Sequence, residues 1–240
     1  MWAELPQALE ALDAHPDVRA VLLTGQGKNF CAGIDFSALA GVVRVLDAGC
    51  PGRARERLLR DIQRWQASLT ALERCRWPVI AAIDGACIGA GVDMITACDI
   101  RYCTESAYFC VKEVDLAITA DMGTLQRLPG IVGDGAAREL ALTARRLGAS
   151  EALALRLVSA VHPDAVALRI AAARTAAAIA ARSPLAVAGT KRVLLHSRDH
   201  TVADGLEFVA AYNSALLPSA DLQEVFRAVS AREQPRFAKL

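Results

Sequence analysis

Apolar residues in the first dozen positions recur at helical spacing. Trp2, Leu5, Leu9 and Leu12 fall on one face and predict a helix over 2–14, which Pro16-Asp17 ends. Val18 to Thr24 is a short, mostly apolar run, read as a buried strand closing at Gly25-Gln26-Gly27. Lys28 to Asp35 follows as a loop or short strand. Gly41, Gly49, Pro51 and Gly52 mark 41–53 as a loop, and a long helix is expected over 54–74. The run Val79-Ile80-Ala81-Ala82-Ile83 is apolar at every position, as a strand covered on both faces is. A Gly-rich turn, 84–89, then feeds a helix running through Ala97, with strands expected at 99–103 and 107–111. Beyond Met122 the spacing is helical over 122–128, 133–146, 150–156, 164–182, 184–197, 201–217 and 219–231, interrupted by one strand, 158–161.

Strands alternating with helices, then helices alone, predict an α/β body over 1–130 and a helical C-terminal region over 131–240. A chain of 240 residues can bury roughly 70–75 % of its unfolded surface. The net charge is +1 with acids and bases intermixed, and no basic block or aromatic-basic repeat suggests nucleic acid. The seven cysteines (31, 50, 75, 87, 98, 103 and 110) are odd in number and contain no Cys-x-x-Cys. They read as reduced thiols, not a disulfide framework or zinc site. Asp84, Asp93 and Asp99 interrupt the apolar stretch 78–100, and Arg169 and Arg174 punctuate the Ala-rich stretch 165–181, so no membrane insertion is expected. Met1-Trp2 enters a helical pattern directly, so no secretory leader is expected. The terminal tripeptide Ala238-Lys239-Leu240 differs from a Ser-Lys-Leu peroxisomal address by one small residue.

Three carboxylates stand out in the stretch 78–121. Asp93 follows the turn Gly85 to Gly91, Glu113 lies in Val111-Lys112-Glu113-Val114, and Asp121 precedes Met122-Gly123. Each has an ordinary alternative: Asp93 as a first-turn helix acid, Glu113 as a partner of Lys112 or a nearby Arg, Asp121 as an N-cap. Together, beside Gly-rich turns, they suggest a lined cavity in which burial can make one acid a base and another a proton donor. A helix starting after a Gly-rich turn presents unpaired N–H groups. The segment Ala32-Gly33-Ile34-Asp35 can supply a second donor, completing the pair an oxyanion hole requires. Gly85-x-x-x-Gly89-x-Gly91 does not match a dinucleotide fingerprint, and neither a Gly-x-Ser-x-Gly elbow nor a Gly-Lys-Ser/Thr loop is present. His196 and His200 are four apart, but no third metal ligand is evident.

Taken together, these motifs resemble the enoyl-CoA hydratase/isomerase (crotonase) superfamily. The matching runs are Val21 to Gly25 leading into Phe30 to Asp35, then Pro78 to Gly85, Gly89 to Asp93, and Ala97 to Arg101. Within it the chain is most similar to the dienoyl-CoA isomerase branch. That likeness rests on Thr96 to Cys103, Val111 to Asp115, Ala120-Asp121 with Gly123 to Pro129, and Ser197-Arg198-Asp199-His200. Hydratases of the family carry glutamates where Asp93 and Glu113 stand, and typically glycine where Asp121 stands.

The resemblance implies an α/β fold of the ClpP/crotonase-like type, a spiral of ββα units with a helical trimerisation region. It implies a thioester carbonyl held between the N–H groups of Ile34 and Ala90, and coenzyme A contacts at Gly33, Ile34, Asp35, Phe36, Ser37 and Gly91. The family usually has glycine where Ala90 stands; the N–H survives and the methyl crowds the acyl group. By analogy Glu113 is the base at C2 of a 3,5-dienoyl-CoA, Asp121 the acid at C6, and Asp93 a group that orients or polarises the pocket. The expected partners are an acyl-CoA substrate, copies of the chain in a homotrimer or homohexamer, and a peroxisomal import receptor. No metal or redox cofactor is expected, and the compartment is read as peroxisomal, with mitochondrial and cytoplasmic alternatives. Family members normally begin with a strand pair and loop before the helix found here at the start. Their absence predicts an exposed sheet edge. The rival readings are an enoyl-CoA hydratase and a catalytically silent acyl-CoA-binding or assembly subunit.

Overall fold

The computed structural model describes residues 1–35 and 49–240. Helix α1 (Glu4–Ala14) packs its Leu9 face into the core and leads to strand β1 (Val21–Thr24). Helix α2 (Pro51–Arg74) opens on a proline at its first turn, where the missing N–H costs nothing. It therefore begins inside the stretch read as a loop. Strand β2 (Val79–Ile83) follows and is buried at all five positions.

Strand β2 lies between β1 and β4 (Ile100–Thr104), and β7 (Ala160–His162) completes a parallel sheet ordered β1-β2-β4-β7. The apolar run explains its central place. Val79, Ala81 and Ile83 point into the main core, while Ile80 and Ala82 point to the opposite face. There Leu168 and Ala172 of helix α7 (Ala165–Ala180) cover them. Among the described residues β1 has only β2 as a neighbour, so it lies at the sheet edge.

A second sheet was not foreseen. Strand β3 (Ala86–Ile88) occupies what the glycines marked as a turn, pairing in parallel with β5 (Tyr108–Cys110). Antiparallel to β5 runs β6 (Leu147–Gly148), in the gap between the helices expected over 133–146 and 150–156. Helix α3 (Ala90–Thr96) leaves β3 directly, and a 3-10 turn (Glu113–Leu116) follows β5.

Then come α4 (Thr124–Val132), α5 (Asp134–Thr143) and α6 (Ala149–Ala154). Helix α4 extends past the expected end at 128 and contains Pro129 in its second turn, where the missing N–H removes one i→i−4 hydrogen bond. The strand expected over 158–161 lies at 160–162 instead. The C-terminal helices are α8 (Pro184–Arg198), α9 (Val202–Leu216) and α10 (Ala220–Ala231), each capped at its N-terminus by Ser183, Thr201 or Ser219. No helix among the described residues is long and apolar enough to cross a membrane.

Candidate active site

The segment around Cys31 is added to β3 as a parallel extension. Cys31 donates to Ala86 O at 2.9 Å and accepts from Ile88 N at 3.0 Å, so Cys31 stands opposite Cys87. Ile34 and Ala90, the two expected donors, each lie three residues beyond that bridge. Among the described residues neither N–H donates to a backbone carbonyl. Ile34 is exposed, as a donor facing a substrate must be.

Two glycines fit this junction closely. Gly89 has φ of +55°, a left-handed conformation that turns the chain out of β3 into α3. Gly91 has no room for a side chain: a Cβ there would lie 2.7 Å from Cys31 Cβ and 3.2 Å from Cys87 Sγ.

Glu113 reaches this junction, and the three acids lie close enough to feel one another's charge. Strand pairing sets Ile88 beside Cys110, and Gly89 N donates to Cys110 O at 2.9 Å. Glu113 is three residues on, and its Oε1 lies 3.3 Å from where a Cβ on Gly89 would stand. Lys112 pairs with Asp115, not with Glu113. Glu113 Oε2 is buried with no hydrogen-bond partner among the described residues. Burial first, and then the Asp93 and Asp121 charges, push the Glu113 carboxyl up to about 7.

Asp93 is 1 % exposed. Its Oδ1 accepts from Thr124 N at 2.7 Å, while Oδ2 has no partner among the described residues. Burial raises its pKa, against the opposing pull of the Thr124 bond. Asp93 thus caps α4 from outside the helix, the role the ordinary alternative gave to Asp121. Asp121 sits in the irregular stretch before α4. Loss of hydration raises its carboxyl too, while its own backbone N–H lowers it. Its exposed position makes that push weaker than the one on Glu113.

Of the other expected site residues, Gly33 has φ of +102° and rests against Ile88, 3.5 Å from its Cγ2. Asp35 is exposed. Phe36 and Ser37 lie outside the described residues. The tripeptide Ala238-Lys239-Leu240 is far from the acids in its contacts: Arg19 donates to the Phe237 and Ala238 carbonyls at 3.0 and 3.1 Å, and Lys239 pairs with Asp17. His196 and His200 stack face to face at 3.8 Å. No group of three or more metal-ligating side chains occurs among the described residues.

Sequence reasoning missed the residues behind Asp121. Gln66 Nε2 donates to Asp121 O at 2.6 Å. Arg127 bonds Glu73 at 3.0 Å and Thr70 at 3.1 Å, and Arg198 also pairs with Glu73. These partners lie more than fifty positions apart in sequence, so no local spacing announces them.

A groove of about 420 Å³ lies between α8, α9 and α10, lined by Leu185, Val193, Tyr212 and Leu216 among others. None of Asp93, Glu113 and Asp121 lines it.

The family model described as "Enoyl-CoA hydratase/isomerase" matches residues 1–239. The peroxisomal Delta(3,5)-Delta(2,4)-dienoyl-CoA isomerase of Arabidopsis thaliana is 55 % identical over 240 residues, covering 100 % of this chain and 86 % of that protein. The mitochondrial enzyme of the same name from Homo sapiens is 44 % identical over 243 residues, covering 100 % of this chain and 74 % of that protein. Among solved structures, an enoyl-CoA hydratase from Bacillus anthracis superposes with a TM-score of 0.88 at 31 % identity, covering 99 % of this chain and 88 % of that one. One from Polaromonas sp. JS666 gives 0.89 at 26 % identity, over 99 % and 89 % of the two chains.

Proposed function

The chain belongs to the enoyl-CoA hydratase/isomerase family, and from that premise we propose that it isomerises 3,5-dienoyl-CoA to 2,4-dienoyl-CoA in fatty-acid β-oxidation. Relatives that carry this activity in their names match the whole chain. The observation that carries the mechanism is Glu113, set against the Gly89 turn and poised near neutrality by burial and by the Asp93 and Asp121 charges.

The substrate thioester lies with its carbonyl oxygen between the Ile34 and Ala90 N–H groups. Glu113, ionised, takes a proton from C2. The electron pair spreads along the diene as an extended enolate, with negative charge on the thioester oxygen and at C4 and C6. Two preorganised N–H donors stabilise the oxygen as its charge develops. Asp121, protonated, delivers a proton to C6, which leaves the conjugated 2,4-diene. The donor and acceptor carbons are four bonds apart, so two carboxyl groups serve where one cannot reach.

Protonation states follow from the cluster. Like charges in one desolvated site resist double ionisation, so Glu113 and Asp121 hold one proton between them through part of the pH range. The productive form places it on Asp121. Asp93 adds negative charge that keeps Glu113 basic enough to act, and its Oδ1 anchors α4. Hydration of an enoyl-CoA needs two carboxylates sharing one water; the short Asp93 is bonded to Thr124 and is less suited to that task.

Coenzyme A contacts fall to Gly33 through Ser37 and to Gly91. The compartment is peroxisomal, as the plant relative's name says of that enzyme. Copies of the chain assemble as trimers or hexamers through the C-terminal helices, where Val202, Leu206, Phe226 and Val229 are exposed.

Rapid formation of the conjugated 2,4-dienoyl chromophore from a 3,5-dienoyl-CoA tests the reading. Glu113→Gln and Asp121→Asn should each lower kcat by ~10²-fold or more with acyl-CoA binding retained. Full activity in either variant would remove that residue from its role.

A further inference from the structure

We propose that Gln66 is a positioning residue for the proton donor: its side-chain amide, backed by the Arg127–Glu73 ion pair, fixes where the Asp121 carboxyl meets C6 of the substrate. The proposal rests on the isomerase reading.

Asp121 has little of its own to hold it. It lies between the 3-10 turn and α4, and among the described residues none of the N–H groups of residues 119–123 bonds to a backbone carbonyl. Ala120 and Met122 are buried and tether the stretch on either side, turning Asp121 outward between them. Its orientation is then set by neighbours from α2.

Gln66, Thr70 and Glu73 stand at i, i+4 and i+7, on one face of that helix. Gln66 Nε2 donates to Asp121 O at 2.6 Å. Two residues on, Gly123 has φ of +120°, and the Arg127 guanidinium occupies the space a Cβ would take. That guanidinium is held by Glu73 Oε2, at 3.3 Å from Nε and 3.0 Å from Nη2, and by Thr70 Oγ1 at 3.1 Å. Asp93 fixes the next residue through Thr124 N. Asp121 is therefore gripped at its own carbonyl and braced at Gly123 and Thr124.

Gln66 is neutral, so it acts on geometry and leaves the charge of the cluster unchanged. Proton delivery is sensitive to small displacements, because a misplaced donor no longer sits at hydrogen-bond reach of the reacting carbon. Proton removal at C2 depends on Glu113, which is held by β5 and the 3-10 turn, not by α2.

The test is Gln66→Met, which keeps length and removes the donor, assayed beside the unmodified enzyme in ²H₂O. The expected result is a ~10- to 100-fold fall in kcat, with KM within about two-fold of the unmodified value. Exchange of deuterium into C2 of unreacted substrate should persist at the unmodified rate. Gln66→Asn, polar but too short to reach, should give the same split. Unchanged kcat overturns the proposal. So does an equal fall in kcat and C2 exchange, or loss of folding in both variants, since each would make Gln66 a general structural residue. Failure of the unmodified enzyme to isomerise the substrate would instead defeat the isomerase reading on which the assignment stands.

Discussion

Glu113, the proposed base, shows how burial lifts a common carboxyl toward neutrality. A carboxyl lifted from 4.5 to about 7 is half ionised near neutrality. The active form is the singly protonated pair, with Glu113 ionised and Asp121 protonated, so kcat/KM should fall as pH rises through about 7, where the shared proton is lost. Asp93→Asn keeps an oxygen for the Thr124 N–H but removes the largest like charge on Glu113. That alkaline limb should move to lower pH; an unmoved limb in a folded variant would show that Asp93 does not tune the base.

The same shift has a stability sign. Because the folded-state pKa is raised, the folded chain binds more protons than the unfolded one between pH 4.5 and about 7. Glu113 therefore costs stability as pH rises across that window, by up to ~3 kcal/mol above it. Glu113→Gln should melt higher than the unmodified protein at pH 8, and at nearly the same temperature at pH 4. Equal melting temperatures at pH 8 would contradict the buried, charged-cluster account. The three acids were legible in sequence because they interrupt apolar and Gly-rich runs. Their mutual repulsion and the Gln66 contact were not, since both arise between segments far apart in the chain.

At the scale of elements, the turn proposed to hold the oxyanion depends on two parallel neighbours, the Cys31 segment and β3, pressed together over Gly91. An alanine at 91 would put a methyl 2.7 Å from Cys31 Cβ, an atom fixed to the backbone and unable to swing away. Gly91→Ala should lower stability by ~1–3 kcal/mol and reduce kcat by displacing the Ile34 donor. Thermal denaturation and steady-state kinetics would check both, and unchanged values would mean the junction has slack. The glycines here were legible as a site, but β3 between them was not. It is three residues long, shows no alternation, and is flanked by Gly85 and Gly89, so its local signal is that of a turn. Strand β2 was plain because five consecutive apolar residues can only be covered on both faces.

For the whole molecule, the alternation of strands and helices followed by helices alone conveyed the architecture. The strand order and the second sheet came from pairings that no single segment specifies. The C-terminal helices are amphipathic on more than one side. Val202 is 80 % exposed, Val229 71 % and Phe226 64 %, more apolar surface than water alone would favour. Light scattering on a sizing column should give a trimer or hexamer, and Phe226→Asp should shift it toward monomer. A monomer at all concentrations would contradict assembly through this face.

The most direct test of the account is to convert a 3,5-dienoyl-CoA in ²H₂O and locate the deuterium in the product. Removal at C2 by Glu113 and delivery at C6 by Asp121 predict a conjugated 2,4-dienoyl-CoA carrying deuterium at C6, and no such product from Asp121→Asn. A 3-hydroxyacyl product, or no turnover by folded protein that binds acyl-CoA, would contradict it.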